Sequence, residues 1–279
     1  MEAPHPGRRM LLQAVHRPDN QIDLVRAALA IAWEDRGTID MERVLSRLDG
    51  LVVRTRAHVI PDRPTAEQAE QVVEYLHHVE AFSGTARVYE DYDPANSYLP
   101  EVLERHSGLP ILLALLLLHV GSQLGLPLEP ANLPGHFMVR CPLPEGNLFL
   151  DLFYGQVLDS AGCRRFLQER IGHVVSDPAR LPQPSRRQVL ARLLRNLKFS
   201  YFRREDFPKA LAATERILLM EPDSSTDLRD RGMLRARLGD LHRALADLES
   251  YAAMDPIAAD HELVRKHAQT LAELLGRRN

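Results

Sequence analysis

Apolar positions recur at helical spacing through the first third of the chain. Ile22, Val25, Leu29 and Trp33 fall on one stripe of residues 21–34, with Asp19 or Asn20 ahead of them as a cap, which predicts a surface-amphipathic helix. Residues 40–59 repeat the pattern through Met41, Val44, Leu45, Leu48, Leu51, Val52 and Val59. Residues 65–80 open at Pro64-Thr65 and turn Ala69, Val72, Val73, Leu76 and Val79 inward. Three helices in succession predict a helical subdomain over residues 1–90. His77 and His78 are neighbours within it, and side chains one residue apart on a helix diverge by about 100°, so the pair reads as surface and boundary histidines and not as metal ligands.

From Asp91 the texture changes. An Asp-Pro-Ala-Asn turn leads into a short helix that breaks at Gly108, and the most apolar stretch of the chain follows. Pro110 suits the first turn of that helix, where no backbone N–H is needed and φ is already near −65°; Gly125 suits its end. The uninterrupted apolar run before His119 is about ten residues, short of the roughly 18 that a spanning helix needs, so the expectation is a core helix and no membrane association. Residues 136–141 and 147–153 read as two strands joined by a Pro-Glu-Gly-Asn turn. The fold class expected is therefore α+β and mostly helical. A buried helix and a small antiparallel sheet form the core over residues 91–175, followed by a proline-rich linker at 176–185.

Beyond the linker, residues 186–279 compare with themselves at a spacing of 34: Asp206 aligns with Asp240, Ala210 with Ala244, Leu211 with Leu245 and Pro222 with Pro256. Period and pattern resemble tetratricopeptide repeats, helix hairpins in which a small alanine permits close packing and a proline ends the second helix. Asn196, Leu197 and Tyr201 supply the first-helix signature of one repeat, Arg231, Gly232 and Arg235 make the second less typical, and residues 259–275 form a capping helix. The resemblance puts the first helices on a concave face. That stripe carries Arg192, Arg195, Phe199, Phe202 and Arg203, then Arg229, Met233 and Arg237. It reads either as a basic groove with an aromatic floor that clamps an acidic peptide, or as a solvated arginine face or one covered by the other domain.

Composition narrows the classes. A chain of 279 residues, 45% hydrophobic and 26% charged, is an ordinary soluble globular protein. A net charge of −3, split as 18 basic and 14 acidic residues over 186–279 against 17 and 24 before them, gives no field to gather nucleic acid or anionic lipid, and neither is an expected partner. Cys141 and Cys163 are the two cysteines, too few for a disulfide framework and without a CxxC pair for zinc. The expectation is a cytoplasmic chain with reduced thiols, no metal and no cofactor.

A buried helix followed by strands that carry His136 and Asp151 is the order of a papain-like thiol site, in which a cysteine at a helix N-terminus is served by a histidine and an orienting acid. Here the segments NSYLPEVLERHSGLPILLALLLLHVGSQLGLPL, PGHFMVR and FLDLFYG, with the repeats, resemble the bacterial SirB-type proteins, which join a transglutaminase-like domain to tetratricopeptide repeats. The resemblance spans residues 20–275 and implies a papain/transglutaminase-like core. Carried over residue by residue, it puts Gly108 on the glycine of the nucleophile motif, Ala114 on its small residue, His136 on the base, Asp151 on the acid and Pro110 on the nucleophile. The SirB-type branch generally has proline there as well. Leu112 stands where the branch commonly has serine, and DLFYG replaces a DPF-type ending.

Proline has no ionisable group, no hydroxyl and no N–H, so the thiol mechanism is not open to this chain. Cys141 lies five residues beyond His136 on one strand, on the opposite face and roughly 16 Å away, and Cys163 reads as a packed helix residue. Two classes remain. The favoured one is a non-catalytic interaction or regulatory module that binds a protein or peptide through the repeats. In it, His136 and Asp151 are either a structural pair or part of a relic cleft with Asn96, Ser97, Tyr98, Gly108 and Gly135. The alternative is a hydrolase or amide-processing enzyme in which Ser97, Ser107 or water replaces the missing thiol.

Overall fold

The structure, a computed structural model, describes residues 5–84, 92–172, 174–255 and 257–276. Asp91, where the sequence texture changes, and Pro256, the partner of Pro222 in the repeat, lie outside them. The chain divides into two units, Met1–Val189 and Leu190–Asn279.

The first unit opens with helices α1 (Pro6–Val15), α2 (Leu24–Arg36), α3 (Met41–Arg56) and α4 (Thr65–Glu74), the last prolonged by a wide turn over Tyr75–Val79. Asp23 and Asp40 start α2 and α3 by accepting the Arg26 and Arg43 backbone N–H groups at 2.9 and 3.0 Å. Asp19, one of the two expected caps, sits instead in a 3-10 turn and accepts the N–H groups of Arg186 and Arg187 at 2.8 and 3.0 Å. Nor is α2 a surface-amphipathic helix. Val25 and every residue from Ala27 to Ala32 are buried, because four alanines let neighbours close in on more than one side.

Short helix α5 (Leu99–Arg105) ends at His106 in the left-handed region, φ 54°, and Gly108-Leu109 then leads into α6 (Pro110–Gln123). Leu109 is extended and Pro110 takes the first helical position. The eight residues from Pro110 to Leu117 are all buried. At the far end Gly125 turns at φ 80° while the Leu126 N–H returns to the Gly121 carbonyl at 2.9 Å, a closure that suits glycine.

Four strands follow, β1 (Glu129–Leu133), β2 (His136–Leu143), β3 (Gly146–Asp151) and β4 (Gln156–Asp159), antiparallel in chain order. The sheet thus has two strands that the apolar pattern does not announce. β1 carries Pro130 and Asn132, and β4 is four residues long. Helix α7 (Ser160–Phe166), capped by Asp159, lays Cys163 and Phe166 with Leu167 against Ala131, Leu133, Met138 and Phe149 of the sheet.

Helix α8 (Arg186–Arg203) contains the division between the units. In the second unit α9 (Phe207–Met220), α10 (Ser225–Arg237), α11 (Leu241–Met254) and α12 (His261–Gly276) complete the chain. The 34-residue spacing is structural. Asp206 and Asp240 cap α9 and α11 with nearly the same backbone, φ −83° and ψ 70° against φ −82° and ψ 68°. Ala210 and Ala244 are both fully buried, as close helix packing requires. Val264, Ala268 and Leu271 of α12 pack with Ala244, Leu248 and Tyr251 of α11. The described residues are α+β and mostly helical, with a buried helix and a four-stranded antiparallel sheet preceded by helices and followed by helix hairpins.

Candidate functional site

His136 is the first residue of β2 and Asp151 the last of β3, so both stand at one end of the sheet. Imidazole Nε2 lies 3.0 Å from Asp151 Oδ2. The same oxygen accepts the Gln156 amide at 3.3 Å, while Oδ1 accepts the Phe153 backbone N–H at 3.0 Å. The carboxylate is therefore held on three sides. Both side chains are 1% exposed. Phe166, Phe153 and Tyr154 surround the imidazole with ring centroids at 5.2, 5.8 and 5.8 Å.

The segment after Asp151 provides this seal. Phe153 occupies the space that Gly84 leaves by having no side chain; a β-carbon there would overlap the ring. Gly155 turns at φ 65° with its α-carbon against the His77 ring. His77 Nδ1 lies 2.9 Å from the Phe82 carbonyl and 3.3 Å from that of Leu152, so it donates toward the chain just beyond Asp151. Sequence reasoning finds the histidine and the acid but misses Gln156, Phe153, Tyr154, Phe166 and His77. Phe153, Tyr154 and Gln156 lie within five residues of Asp151 but take up their roles only when the chain turns there, and Phe166 and His77 come from other elements.

At the start of α6 the Leu109 N–H donates to the Asn96 carbonyl at 3.0 Å, and a β-carbon on Gly108 would overlap Val102. Asn96, Gly108 and Pro110 therefore come together. Tyr98 does not join them through its hydroxyl, which donates to Asp35 of α2 at 3.2 Å. Ser97 is 2% exposed and its Oγ finds no hydrogen-bond partner among the described residues. Ser107 is half-buried and bridges to the backbone of Ser83. Gly135 is exposed in the turn between β1 and β2, at φ 70°.

Neither thiol is available as a nucleophile. Cys141 and Cys163 are fully buried. Burial pushes the Cys163 thiol up to about 12, and the nearby Asp151 charge pushes in the same direction. Burial raises Cys141 as well. The first unit does contain a cleft of about 750 Å³, lined by Ile22, Leu115, Leu118, His119 and Pro130 among others, but it reaches neither His136 nor Asp151. Among the described residues no group of three or more His, Cys, Asp or Glu is placed to hold a metal ion, and no helix is long and apolar enough to cross a membrane.

On the repeat helices the arginines of the expected groove are not alike. Arg195 pairs with Glu221 and with Asp227, 2.6 Å from the latter's Oδ2. Lys198 holds the other oxygen of Asp227 at 2.7 Å and Asp230 at 2.6 Å. Arg229 pairs with Asp230 and Asp260. Arg192 is half-buried and Arg203 exposed on α8; Phe199 and Phe202 are 54% and 52% exposed, and Arg237 lies over the Phe207 ring.

A model of the transglutaminase-like superfamily matches residues 42–195, and one of the tetratricopeptide repeat matches residues 197–269. A "UPF0162 protein" of Xylella fastidiosa strain Temecula1 is 33% identical over 259 residues, covering 91% of this chain and 92% of the relative. "Protein SirB1" of Salmonella typhimurium is 27% identical over 231 residues, or 82% of this chain and 85% of its own. "UPF0162 protein YchA" of Escherichia coli K12 is 27% identical over 259 residues, 91% and 94% of the two chains. No solved structure matches. The chain thus belongs to the transglutaminase-like superfamily, in the SirB-type group of bacterial proteins that carry tetratricopeptide repeats behind that domain.

Proposed function

We propose that this chain is a non-catalytic transglutaminase-like protein that acts as a cytoplasmic interaction or regulatory module, its repeats holding a protein or peptide partner. The observation that carries the reading is the combination at the relic site. The resemblance puts Pro110, the first residue of α6, on the nucleophile, and the His136–Asp151 pair is 1% exposed beneath Phe153, Tyr154 and Phe166. A general base must reach the proton it removes, and a substrate carbonyl must reach both. Aromatic rings fill that space here. Cys163, whose thiol feels the Asp151 charge, stays protonated at neutral pH and cannot replace the missing thiolate.

Treatment of the native protein with an iodoacetamide probe and with a fluorophosphonate probe, followed by mass-spectrometric site mapping, tests the reading. No residue is expected to be labelled in a way that depends on His136. Labelling of Ser97 or Ser107 that disappears in His136→Ala overturns it and establishes the enzyme alternative.

A further inference from the structure

Two kinds of arginine stand on the repeat helices. Arg195, Arg229, Arg231 and Arg235 are each tied to carboxylates of the same unit, the last two to Asp247 at 2.7 and 2.9 Å. Their charge is already neutralised locally, and reversing it would damage the fold before it touched a partner.

Arg237 differs. It is exposed, its guanidinium lies 4.1 Å from the Phe207 ring centroid, and no carboxylate among the described residues pairs with it. A guanidinium held against a ring keeps its N–H groups to donate, and its planar fork can give a carboxylate two parallel hydrogen bonds. Phe207 in turn meets Phe202 edge to face at 5.8 Å. Phe202, Met233 and Leu238 are 52%, 39% and 42% exposed. Large apolar side chains gathered around an unpaired arginine mark a place of contact. They lie where α8 and α10 end and α9 begins.

The geometry points to a docking site here for a peptide segment of another protein in which a carboxylate side chain stands next to an aromatic or large aliphatic one. The carboxylate takes the N–H edge of Arg237, and the apolar neighbour rests on Phe202 and Met233. A polyanion such as nucleic acid fits less well, because Glu205, Asp206 and Asp240 lie in the same loops. The site rests on the interaction-module reading above and deepens it. Within the stripe read from the sequence, the anchor is Arg237 with its aromatic support, and not Arg195 or Arg229, which are tied to carboxylates.

Selection of phage-displayed random peptides on the full chain tests this, with enriched peptides then made as fluorescein conjugates and measured by anisotropy. The enriched set is expected to pair an acidic residue with an adjacent aromatic or aliphatic one. Arg237→Glu should weaken binding about tenfold or more, Phe202→Ser similarly, and Arg237→Lys less, since lysine keeps the charge but not the planar fork. Unchanged circular dichroism is expected for all three, because these side chains are exposed. Peptides that bind wild type, Arg237→Glu and Phe202→Ser equally overturn this site while leaving an interaction module intact. Enriched peptides without an acid also overturn it. A failure to enrich any peptide overturns both readings.

Discussion

At the level of single residues, the informative comparison is between two groups that share the Asp151 carboxylate. His136 touches it directly, and Cys163 feels its charge from the α7 side. In a working thiol site a cysteine gains a depressed pKa from its surroundings; here burial comes first, the carboxylate adds to it, and the thiol is driven up to about 12. At pH 8 the thiolate fraction of Cys163 is then about 10⁻⁴. Ellman's reagent should accordingly find no reactive thiol in the native chain and both cysteines after denaturation. Rapid native reaction of Cys163 would mean that the packing around Asp151 opens. His136→Ala removes one of three partners of a buried carboxylate and a filler from an aromatic cluster, and should cost about 3 kcal/mol in chemical denaturation. A loss below about 0.5 kcal/mol would remove the structural role assigned to the pair. Sequence spacing identifies His136, Asp151 and Pro110 because each sits in a quotable motif. Gln156 and Phe166 carry no such signal, since β4 and α7 bring them to the pair only on folding, and Tyr154 sits in the FLDLFYG segment without its packing on His136 being announced there.

Among the elements, those with a strong local rule are the legible ones. Pro110 at the first position and Gly125 past the end bracket α6, and the spacing of 34 residues reappears as matched caps at Asp206 and Asp240. β1 and β4 are illegible for the converse reason: proline and asparagine interrupt one, and the other is too short for alternation to register. The ion pairs of the repeats are also invisible along the chain, because Arg195 and Asp227 are 32 positions apart and meet only when successive repeats stack. Asp227 is the hub of that contact, 1% exposed and receiving Lys198, Arg195 and Ser224. Burial alone would raise its carboxyl. The hydrogen bonds from Lys198, Arg195 and Ser224, with the Lys198 charge, outweigh burial and hold it below the ordinary range. A folded pKa lower than the unfolded value of about 3.9 stabilises the repeats fully above that pH, and the contribution is lost as pH falls through the lowered value. Asp227→Asn should therefore cost about 3 kcal/mol at pH 7 and show a shallower loss of helical signal below about pH 4 than wild type. An acid profile identical to wild type, offset or not, would mean that this carboxylate does not couple repeat stability to pH.

On the scale of the whole molecule, charge is where seeing residues placed gives a reason for the expectation that counting them raises. Residues 186–279 contain 18 basic and 14 acidic side chains, a mild positive balance that the −3 of the whole chain already leaves too weak to gather a polyanion. The structure draws that balance inward. Arg195, Lys198, Arg229, Arg231 and Arg235 face Glu215, Glu221, Asp227, Asp230, Asp247 and Asp260 at ion-pair distance. An arginine already bonded to a carboxylate releases no counterion when a phosphate approaches, so it adds nothing to the salt-dependent part of nucleic-acid affinity. The chain as a whole carries −3, and at physiological salt fields are screened beyond about 8 Å. The full chain should consequently leave a heparin column at or below about 0.15 M salt and show no salt-sensitive retention on immobilised single- or double-stranded DNA. Replacing Asp230 and Asp260 by asparagine frees Arg229 and should delay elution from heparin. That contrast separates paired from unpaired arginines in one protein. Firm wild-type retention, weakening linearly in log salt and unaffected by Asp230→Asn with Asp260→Asn, would show that unpaired cations elsewhere form a nucleic-acid face, and would replace the peptide partner with a polyanionic one.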